Sequence, residues 1–279
     1  MNILTSILGL LIFLNINLAK SQKLKLYYNL EFVKDSIKKD IENRSMVLLE
    51  EKQNYIFCPE ELLIKDSLKN NNLEYSPVIM DEEINFMVIR KNNIINKFYM
   101  VDEKLYAVNE NSVELNWKIK NQTKIIDSIQ CQLATLRYKG RNWEAWFSTK
   151  YPISIGPYIF NGLPGIILEL KDTKNNYIFK LSKIKNTEDV IDHLINQSLW
   201  INEKPIFINN KQLKKLYLTV YGDPFRRMKE KKIIYMIDEK TGEKQPPPDF
   251  DKMTKSAQKY IRDNNNPIEL SEVVQYPSK

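Results

Sequence analysis

The chain has 279 residues, of which 43% are hydrophobic and 28% are charged. This composition is typical of a protein that buries a core, and it excludes disorder over most of the length. The formal net charge of +7 is spread thinly apart from basic runs at 211–215 and 226–232, so a nucleic-acid partner is not expected.

The first 21 residues have the layout of a secretory signal peptide. An almost continuously apolar run extends from Ile3 to Ala19, and the chain turns polar at Lys20. Ala19 and Ser21 suit the small-residue positions of a cleavage site, which leaves Gln22 as the mature N-terminus. The run is shorter than the roughly 20 residues of a spanning helix. No basic residue precedes it, however, so an uncleaved membrane anchor remains the alternative.

Cys58 and Cys131 are the only cysteines. An exported chain meets an oxidising environment, in which these two thiols could form a disulfide. The alternative is two separate buried thiols that pack as small apolar side chains. Spacing along the chain does not determine the distance between them, so the sequence leaves both interpretations open.

Strand patterns recur from residue 24 to residue 184. The first has apolar side chains at alternate positions over 24–32, and similar stretches lie at 46–49, 54–57, 84–89, 96–101, 104–108, 112–119, 129–138, 143–148, 166–171 and 177–184. A spacing of about ten residues with polar turns between the runs favours a meander of antiparallel strands over βαβ units. A short helix is predicted at 59–69.

The pattern changes after about residue 186. Apolar spacings of three and four predict helices at 188–199 and 211–231, with a break at Gly222-Asp223-Pro224, and a further helix at 251–262. A strand at 232–238 is expected to return to the sheet, and the prolines at 246–248 form a stiff connector. We therefore predict a signal peptide (1–21), an antiparallel β domain (22–186) and a helical C-terminal extension (187–279) that packs on that domain.

Glycine and proline are concentrated in one segment. The chain contains only seven glycines, yet three of them lie within ten residues, together with three prolines: Gly156, Gly162, Gly165, Pro152, Pro157 and Pro164. Glycine permits backbone angles and close approaches that other residues do not, and proline restricts its own φ. Segment 152–165 is therefore predicted to be a loop that is held in one path and packs on the domain through aromatic side chains.

This segment reads Asn-Gly-Leu-Pro-Gly-Ile-Ile from Asn161 to Ile167. An ordered set of residues surrounds it: Ile129–Gln132, Ala134-Thr135, Gly140-Arg141, Trp143, Ala145–Thr149, Pro152-Ile153, Gly156-Pro157, Phe160, Asp172, Tyr177 and Phe179. In order and spacing, these residues resemble the GLPGLI family of exported proteins from two-membrane bacteria. Ile166 replaces a leucine and Leu133 replaces a lysine, and 266–270 resembles a closing segment of that family.

The resemblance implies a mainly β (α+β) fold, with a curved antiparallel sheet or half-barrel on which the C-terminal helices pack. It marks a structural motif at Gly156, Pro157, Gly162, Leu163, Pro164 and Gly165. It also implies association with outer-membrane transport systems and no established catalysis. With the export signal, it indicates the periplasm or the outer-membrane region, or secretion. Neither cysteine is at the cleavage site, so a lipid anchor is not predicted.

Few residue patterns indicate a chemical site. His193 is the single histidine, so counting excludes a zinc site of the usual composition, and we predict no metal, cofactor or catalytic residue. Four carboxylates of the family-like block could do acid–base chemistry, but nothing in the sequence pairs them: Asp127, Glu144, Glu169 and Asp172. The glycine-rich loop also lacks the spacings of phosphate-binding loops.

Arg141, Trp143 and Trp146 form the candidate ligand-binding set. An arginine among tryptophans can hold an anionic or sugar-like ligand by bidentate hydrogen bonds and stacking. The alternative is that Arg141 satisfies carbonyl groups of the loop at 156–165 and so determines the path of that loop.

We therefore expect an exported, non-enzymatic binding or accessory protein of the cell envelope. It would bind a peptide, a lipid or a glycan, or it would assist an outer-membrane transport protein. The competing hypothesis is a hydrolase or accessory module for glycan or peptide processing that uses carboxylates. A third is a purely structural partnership with a transporter. A cavity open to solvent would favour the first hypothesis, and two carboxylates that converge in one cleft would favour the second.

Overall fold

The computed structural model describes residues 23–35, 38–52, 54–63, 86–189, 204–231, 236–237, 240–245 and 248–277. The predicted signal peptide, His193 and most of the helix predicted at 188–199 lie outside these ranges. Of the helix predicted at 59–69, residues 60–63 are described and are helical. No helix in the described ranges is both long enough and apolar enough to cross a bilayer.

One large sheet dominates the described part of the chain. Its strands are β1 Leu24–Val33, β2 Ile41–Glu51, β3 Asn54–Pro59, β4 Val88–Lys91, β5 Ile94–Val101, β6 Lys104–Asn111, β7 Lys118–Ile126, β8 Ile129–Tyr138, β9 Arg141–Ser148, β10 Ile166–Asp172, β11 Tyr177–Asn186 and β12 Ile206–Ile208. Neighbouring strands are antiparallel, except that the short β12 runs parallel to β6. The prediction of a mainly β protein with a curved antiparallel sheet is confirmed.

The strand order explains why the sheet curves. That order is β12-β6-β5-β4-β3-β2-β1-β11-β10-β9-β8-β7, so two meanders meet where β1 pairs with β11. Ten strand spacings separate β6 from β7, which is about 48 Å in a flat sheet. Only residues 112–117 connect these strands, and that connection can span at most about 25 Å. The sheet must therefore bend until β6 and β7 approach each other.

The prediction of a strand at 112–119 is wrong, because β6 and β7 have to be joined across the curved sheet. Residues 112–117 form the connection across the curved sheet, and β7 begins only at Lys118. Leu115 is buried in the main core, whereas the side chain of Val113 is exposed. The sequence of this extended crossover alternates apolar and polar residues as a strand in a sheet does, so periodicity alone cannot tell them apart.

Each face of the sheet contributes to a core. The main core lies on what we call the inner face, which carries Leu26, Leu30, Trp143 and Phe179. The loop at 151–165 packs on this face through buried side chains that include Ile155, Tyr158, Phe160 and Leu163. A second core, on the opposite face of β2 to β6, contains Leu49, Ile56, Cys58, Met87, Ile89 and Phe98.

In the described part of the chain, three helices follow the sheet: α1 Asn210–Gly222, α2 Arg226–Glu230 and α3 Phe250–Asp263. Helix α1 begins with a capping box in which Asn209 and Gln212 satisfy each other's backbone amides. Leu213 of α1 packs against Tyr99 on the inner face. The predicted break after Gly222 is confirmed, because α1 and α2 are separate helices.

The strand predicted at 232–238 does not return to the large sheet in the residues described. Met236–Ile237 (β13) pairs instead with Lys244–Gln245 (β14) in a separate two-stranded ribbon. The strand that does return from the C-terminal region is β12, which the sequence analysis missed. Its three residues are too few to show a period of two.

Candidate functional site

The C-terminal residues 264–277, which we call the strap, are tied to the sheet at the edge of the main core. The strap includes a single turn of 3₁₀ helix at Leu270–Glu272. Two buried basic residues, Arg141 of β9 and Lys97 of β5, bind it at neighbouring positions. The strap therefore depends on ionic and hydrogen-bonding contacts within the protein interior.

Arg141 is a satisfied structural arginine. Its Nη1 lies 3.1 Å from Asp172 Oδ2, and its Nε donates to the Ile268 carbonyl oxygen at 2.9 Å. Nη2 donates at 2.7 Å both to Asn266 Oδ1 and to the Pro267 carbonyl oxygen. Every arm of the guanidinium therefore has an acceptor. Arg141 binds carbonyl groups, as its alternative interpretation proposes, but they belong to the strap and not to the loop at 156–165.

The predicted ligand-binding set is not brought together. Trp143 is buried on the inner face, with its ring 4.6 Å from that of Phe160. Trp146 points to the opposite face, where Lys124 Nζ lies 4.5 Å from its ring centroid. Successive strand residues face opposite sides, so Arg141 and Trp143 share a face that Trp146 cannot reach. A surface formed by these three side chains is therefore excluded.

Three of the four carboxylates of the family-like block are paired with basic side chains. Glu144 pairs with Lys171 at 3.6 Å, Glu169 pairs with Lys124 at 2.9 Å, and Asp172 pairs with Arg141. Asp127 lies in the turn between β7 and β8. Each of the three paired carboxylates therefore balances a neighbouring basic side chain.

The two cysteines are separate buried thiols, so the structure contains no disulfide between Cys58 and Cys131. Cys58 is on β3 and Cys131 on β8, six strand spacings apart in the sheet order. Burial raises the pKa of the Cys58 thiol to about 12, which disfavours the reactive thiolate. Cys58 thus behaves as a small apolar residue of the second core.

The glycines of the loop have different structural requirements. A Cβ on Gly165 would lie 2.1 Å from the Ser148 carbonyl oxygen, so no side chain fits where the loop enters β10. Gly162 has φ +93°, a conformation that favours glycine, and it packs on Trp117. Trp117 Nε1 donates to the Asn161 carbonyl oxygen at 2.8 Å, which ties the crossover to the loop.

Lys97 is at the centre of a buried ionic cluster, which we call the carboxylate cluster. Its Nζ lies 2.5 Å from Glu269 Oε1, 3.1 Å from Glu110 Oε2 and 3.5 Å from Glu272 Oε1. Lys139 is farther away, at 3.7 Å from Glu110 and 3.8 Å from Glu269. Although burial opposes the charged form, the three carboxylates raise the pKa of Lys97, so it remains an ammonium ion.

Tyrosines complete the carboxylate cluster. Tyr158 donates to Glu269 Oε1 at 3.1 Å, and Tyr99 donates to Glu272 Oε1 at 3.0 Å. Acidic ligand atoms of Glu110, Glu269 and Glu272 lie within 4.8 Å of one another, a spacing that would suit a cation. Lys97 Nζ already takes that position, so a metal ion would have to displace a buried ammonium group.

A partly enclosed cavity of about 320 Å³ lies beside the carboxylate cluster. Its walls come from the inner face, α1, α3 and the strap, and seven aromatic residues line it: Phe32, Phe86, Tyr99, Tyr177, Tyr217, Tyr260 and Tyr276. Glu272 is the member of the carboxylate cluster that lines the cavity, whereas Glu110 and Glu269 do not. The cavity thus combines an aromatic wall with two carboxyl groups, those of Glu272 and Asp102, and Asp102 is paired with Arg226 and Arg227.

Burial, together with the adjacent Glu269 carboxylate, raises the pKa of Glu272 to about 7 from an ordinary value of 4.5. A raised carboxyl pKa in the folded state stabilises the fold at low pH, and that contribution is lost as pH rises from about 4.5 through 7. Glu272→Gln keeps the shape without the charge. Relative to this variant, the native protein should lose about 2–3 kcal/mol of unfolding free energy between pH 5 and pH 8.

Urea denaturation of both proteins at several pH values measures this difference. Parallel pH profiles for the native protein and Glu272→Gln would contradict the shifted pKa.

Sequence reasoning missed the carboxylate cluster. One signal was present, because Lys97 lies in phase with Ile95 and Tyr99 on an otherwise apolar strand face. A lysine at a core position is rarely buried without a partner, so it predicts buried carboxylates. The identity of those carboxylates was not accessible, since Glu269 is 172 residues away along the chain.

Comparison with known families identifies one match. The model of a family described as "Protein of unknown function (Porph_ging)" matches residues 137–169. This segment contains β9 and the glycine-rich loop, and it lies within the block that resembles the GLPGLI family. The match shows likeness to a family without an assigned function over that segment. No curated protein matches the chain.

The solved structures that match the chain are distant from it. The chain has 15% identity and a TM-score of 0.47 with a structure of PNGF-II in space group C2, and the match covers 70% of this chain and 32% of that chain. A second PNGF-II structure, in space group P21, gives 14% identity, a TM-score of 0.47, and coverage of 70% and 33%. This chain therefore spans about a third of the PNGF-II chain.

A DUF1329 family protein from Desulfovibrio piger has 8% identity and a TM-score of 0.31, with coverage of 66% of this chain and 93% of that chain. These values are too low to support a conclusion about function.

Proposed function

We propose that the chain is an exported, non-enzymatic binding or accessory protein of the cell envelope, and that it holds a small, mainly apolar group of its ligand in the aromatic cavity. The apolar N-terminal run with its small-residue cleavage site supports export to the periplasm or the outer-membrane region. The ligand would be part of a peptide, a lipid or a glycan, and an outer-membrane transport protein is the partner suggested by the family resemblance.

The cavity is the single observation that carries this proposal. Its volume of about 320 Å³ lies at the lower end of small-molecule sites. Near β9 and β10, the loop at 151–165 packs on the inner face through buried side chains. A ligand group would therefore enter between α1, α3 and the strap, where aromatic rings can replace water around it.

The hydrolase hypothesis finds less support. Acid–base hydrolysis of a glycosidic bond uses two carboxyl groups that both reach the substrate. Of the described residues, Glu272 and Asp102 are the carboxylates that line the cavity. Asp102 is bound by Arg226 at 2.8 Å and by Arg227 at 2.9 Å. Glu269 is only 1% exposed and lies behind Glu272, out of reach of a ligand.

A cavity-filling substitution tests the proposal. Val220 of α1 lines the cavity, so Val220→Trp should occupy part of it and weaken binding of the neutral dye Nile red at least tenfold. Leu218→Trp is the matched control, because Leu218 is on the same helix, is 40% exposed and does not line the cavity. Fluorescence titration measures both affinities, and thermal unfolding verifies that both variants fold.

If Val220→Trp and the native protein bind the dye with equal affinity, the cavity is not the binding site. A complementary experiment expresses the protein in a two-membrane host and identifies co-purifying small molecules and crosslinked envelope proteins by mass spectrometry. Recovery of a specific outer-membrane protein without any small molecule would favour the purely structural partnership.

A further inference from the structure

The cavity has both an aromatic wall and, in Glu272, a carboxylate whose charge is only partly balanced by Lys97 at 3.5 Å. From this combination we infer that its ligand is an organic cation: an amine or quaternary ammonium group on a small apolar body. This inference rests on the proposed binding function and specifies the chemistry of the ligand.

The charge balance of the carboxylate cluster is the first argument. Three carboxylates face two ammonium groups, those of Lys97 and Lys139, so the cluster has one negative charge in excess when every group is ionised. Glu272 is the carboxylate with the longest contact to Lys97, at 3.5 Å, and Lys139 does not reach it in the described contacts. The excess charge therefore falls on the residue that lines the cavity.

The aromatic wall is the second argument. Cations bind favourably over the faces of aromatic rings, and quaternary ammonium groups are typically held by several such rings together. Tyr99, Tyr217 and Tyr260 line the cavity from β5, α1 and α3 respectively. Apolar rings also exclude water, which strengthens the attraction between a bound cation and Glu272.

The same geometry argues against an anion and against a metal ion as the ligand. An anion would face Glu272 at close range and would gain little from Lys97, whose ammonium is committed to three carboxylates. Lys34, the basic residue lining the cavity, pairs with Glu42 at 3.0 Å. A metal ion is disfavoured as well, because Lys97 Nζ fills the space among the acidic oxygens of the carboxylate cluster.

Protonation of Glu272 should compete with the ligand. The groups near it that titrate or carry charge are Lys97 and Tyr99 on β5, Glu110 on β6, Tyr138 and Lys139 at the end of β8, Tyr158 in the loop, Tyr177 on β11, Tyr217 on α1, Tyr260 on α3 and Glu269 in the strap. Burial raises the pKa of Glu272 to about 7, so a proton supplies the missing positive charge when no ligand is bound. Below pH 7, a cation must displace that proton, and its affinity should fall.

Choline and its neutral isostere 3,3-dimethyl-1-butanol provide a matched pair of probes. We expect the purified protein to bind choline at least tenfold more tightly than the alcohol at pH 8, by isothermal titration calorimetry. Choline binding should weaken at least tenfold at pH 5.5, whereas binding of the alcohol should change little. Glu272→Gln should abolish the preference for choline, and Glu144→Gln, which removes a carboxylate paired with Lys171 on the opposite face, should keep it.

The outcomes separate this inference from the proposed function. If choline shows no advantage over the alcohol, or does not bind at all, the cation inference is wrong. The cavity proposal survives that result as long as Nile red binds and Val220→Trp blocks it. The pH dependence of choline binding by the native protein tests the role of Glu272 without any variant. The inference can therefore be contradicted even if Glu272→Gln folds poorly.

Discussion

Replacement of Arg141 by methionine should destabilise the protein by about 3–5 kcal/mol, because it removes a buried guanidinium group and leaves all of its hydrogen-bond acceptors without that donor. The Pro267 and Ile268 carbonyl groups would lose their donor, and Asp172 would lose its cation. Asp172 still accepts hydrogen bonds from the backbone amides of Asn176 and Tyr177. Most of the lost stability should therefore come from weaker attachment of the strap.

Hydrogen exchange distinguishes this account from general destabilisation. In Arg141→Met, amides of the strap should exchange faster before the protein unfolds globally, whereas amides of β8 and β9 should remain protected. Arg141→Lys should recover only part of the stability, because one ammonium group cannot reach all of these acceptors. The matched control is Arg137→Met, since Arg137 is exposed on the adjacent strand, and its effect should stay within about 0.5 kcal/mol. Uniform exchange across the protein would contradict the proposed role of Arg141.

Gly165→Ala should be among the most destabilising single-methyl additions in this chain. The new Cβ would lie 2.1 Å from the Ser148 carbonyl oxygen and 2.6 Å from its carbon, and backbone atoms of a paired strand cannot rotate away. Loop and β9 would have to separate, which should cost about 3 kcal/mol or more in unfolding free energy. Chemical denaturation of the purified variant measures the loss.

Gly222→Ala is the matched control for that experiment. Gly222 ends α1, and a Cβ built there meets no atom within 4 Å. Alanine favours the helix and restricts the unfolded chain, so this variant should be neutral or more stable by up to about 1 kcal/mol. A Gly165→Ala protein as stable as Gly222→Ala would show that the loop does not need its close approach to Ser148.

Local periodicity predicted much of the sheet. Strands β1 and β8 were predicted almost to the residue, because the half-buried strand at Leu24–Val33 and the strand at Ile129–Tyr138 are regular runs between turn residues. The crossover at 112–117 was assigned wrongly, and β12 was missed. In both cases the assignment depends on where the segment lies relative to the sheet. A period of two in the sequence carries no information about that position.

The candidate site was much less accessible from the sequence. Arg141 was recognised as unusual, but its partner Asn266 lies 125 residues away along the chain. Trp146 was grouped with Arg141 by proximity in sequence, although the alternation of the strand puts their side chains on opposite faces. Lys97 and Glu272 were not considered, since neither belongs to a recognisable motif.

The N-terminal apolar run and the glycine-rich loop were evident from the amino-acid sequence itself. A signal peptide, a constrained loop and a strand pattern are each defined by residue types that lie close together in the chain. The sequence by itself therefore determined the expectation of an exported, mainly β protein. Tertiary structure alone decided that the chain has an aromatic cavity, which carboxyl group lines it, and that the strap forms one wall. Those features arise where distant segments meet as the sheet curves, and their energies depend on burial and pairing that no local pattern specifies.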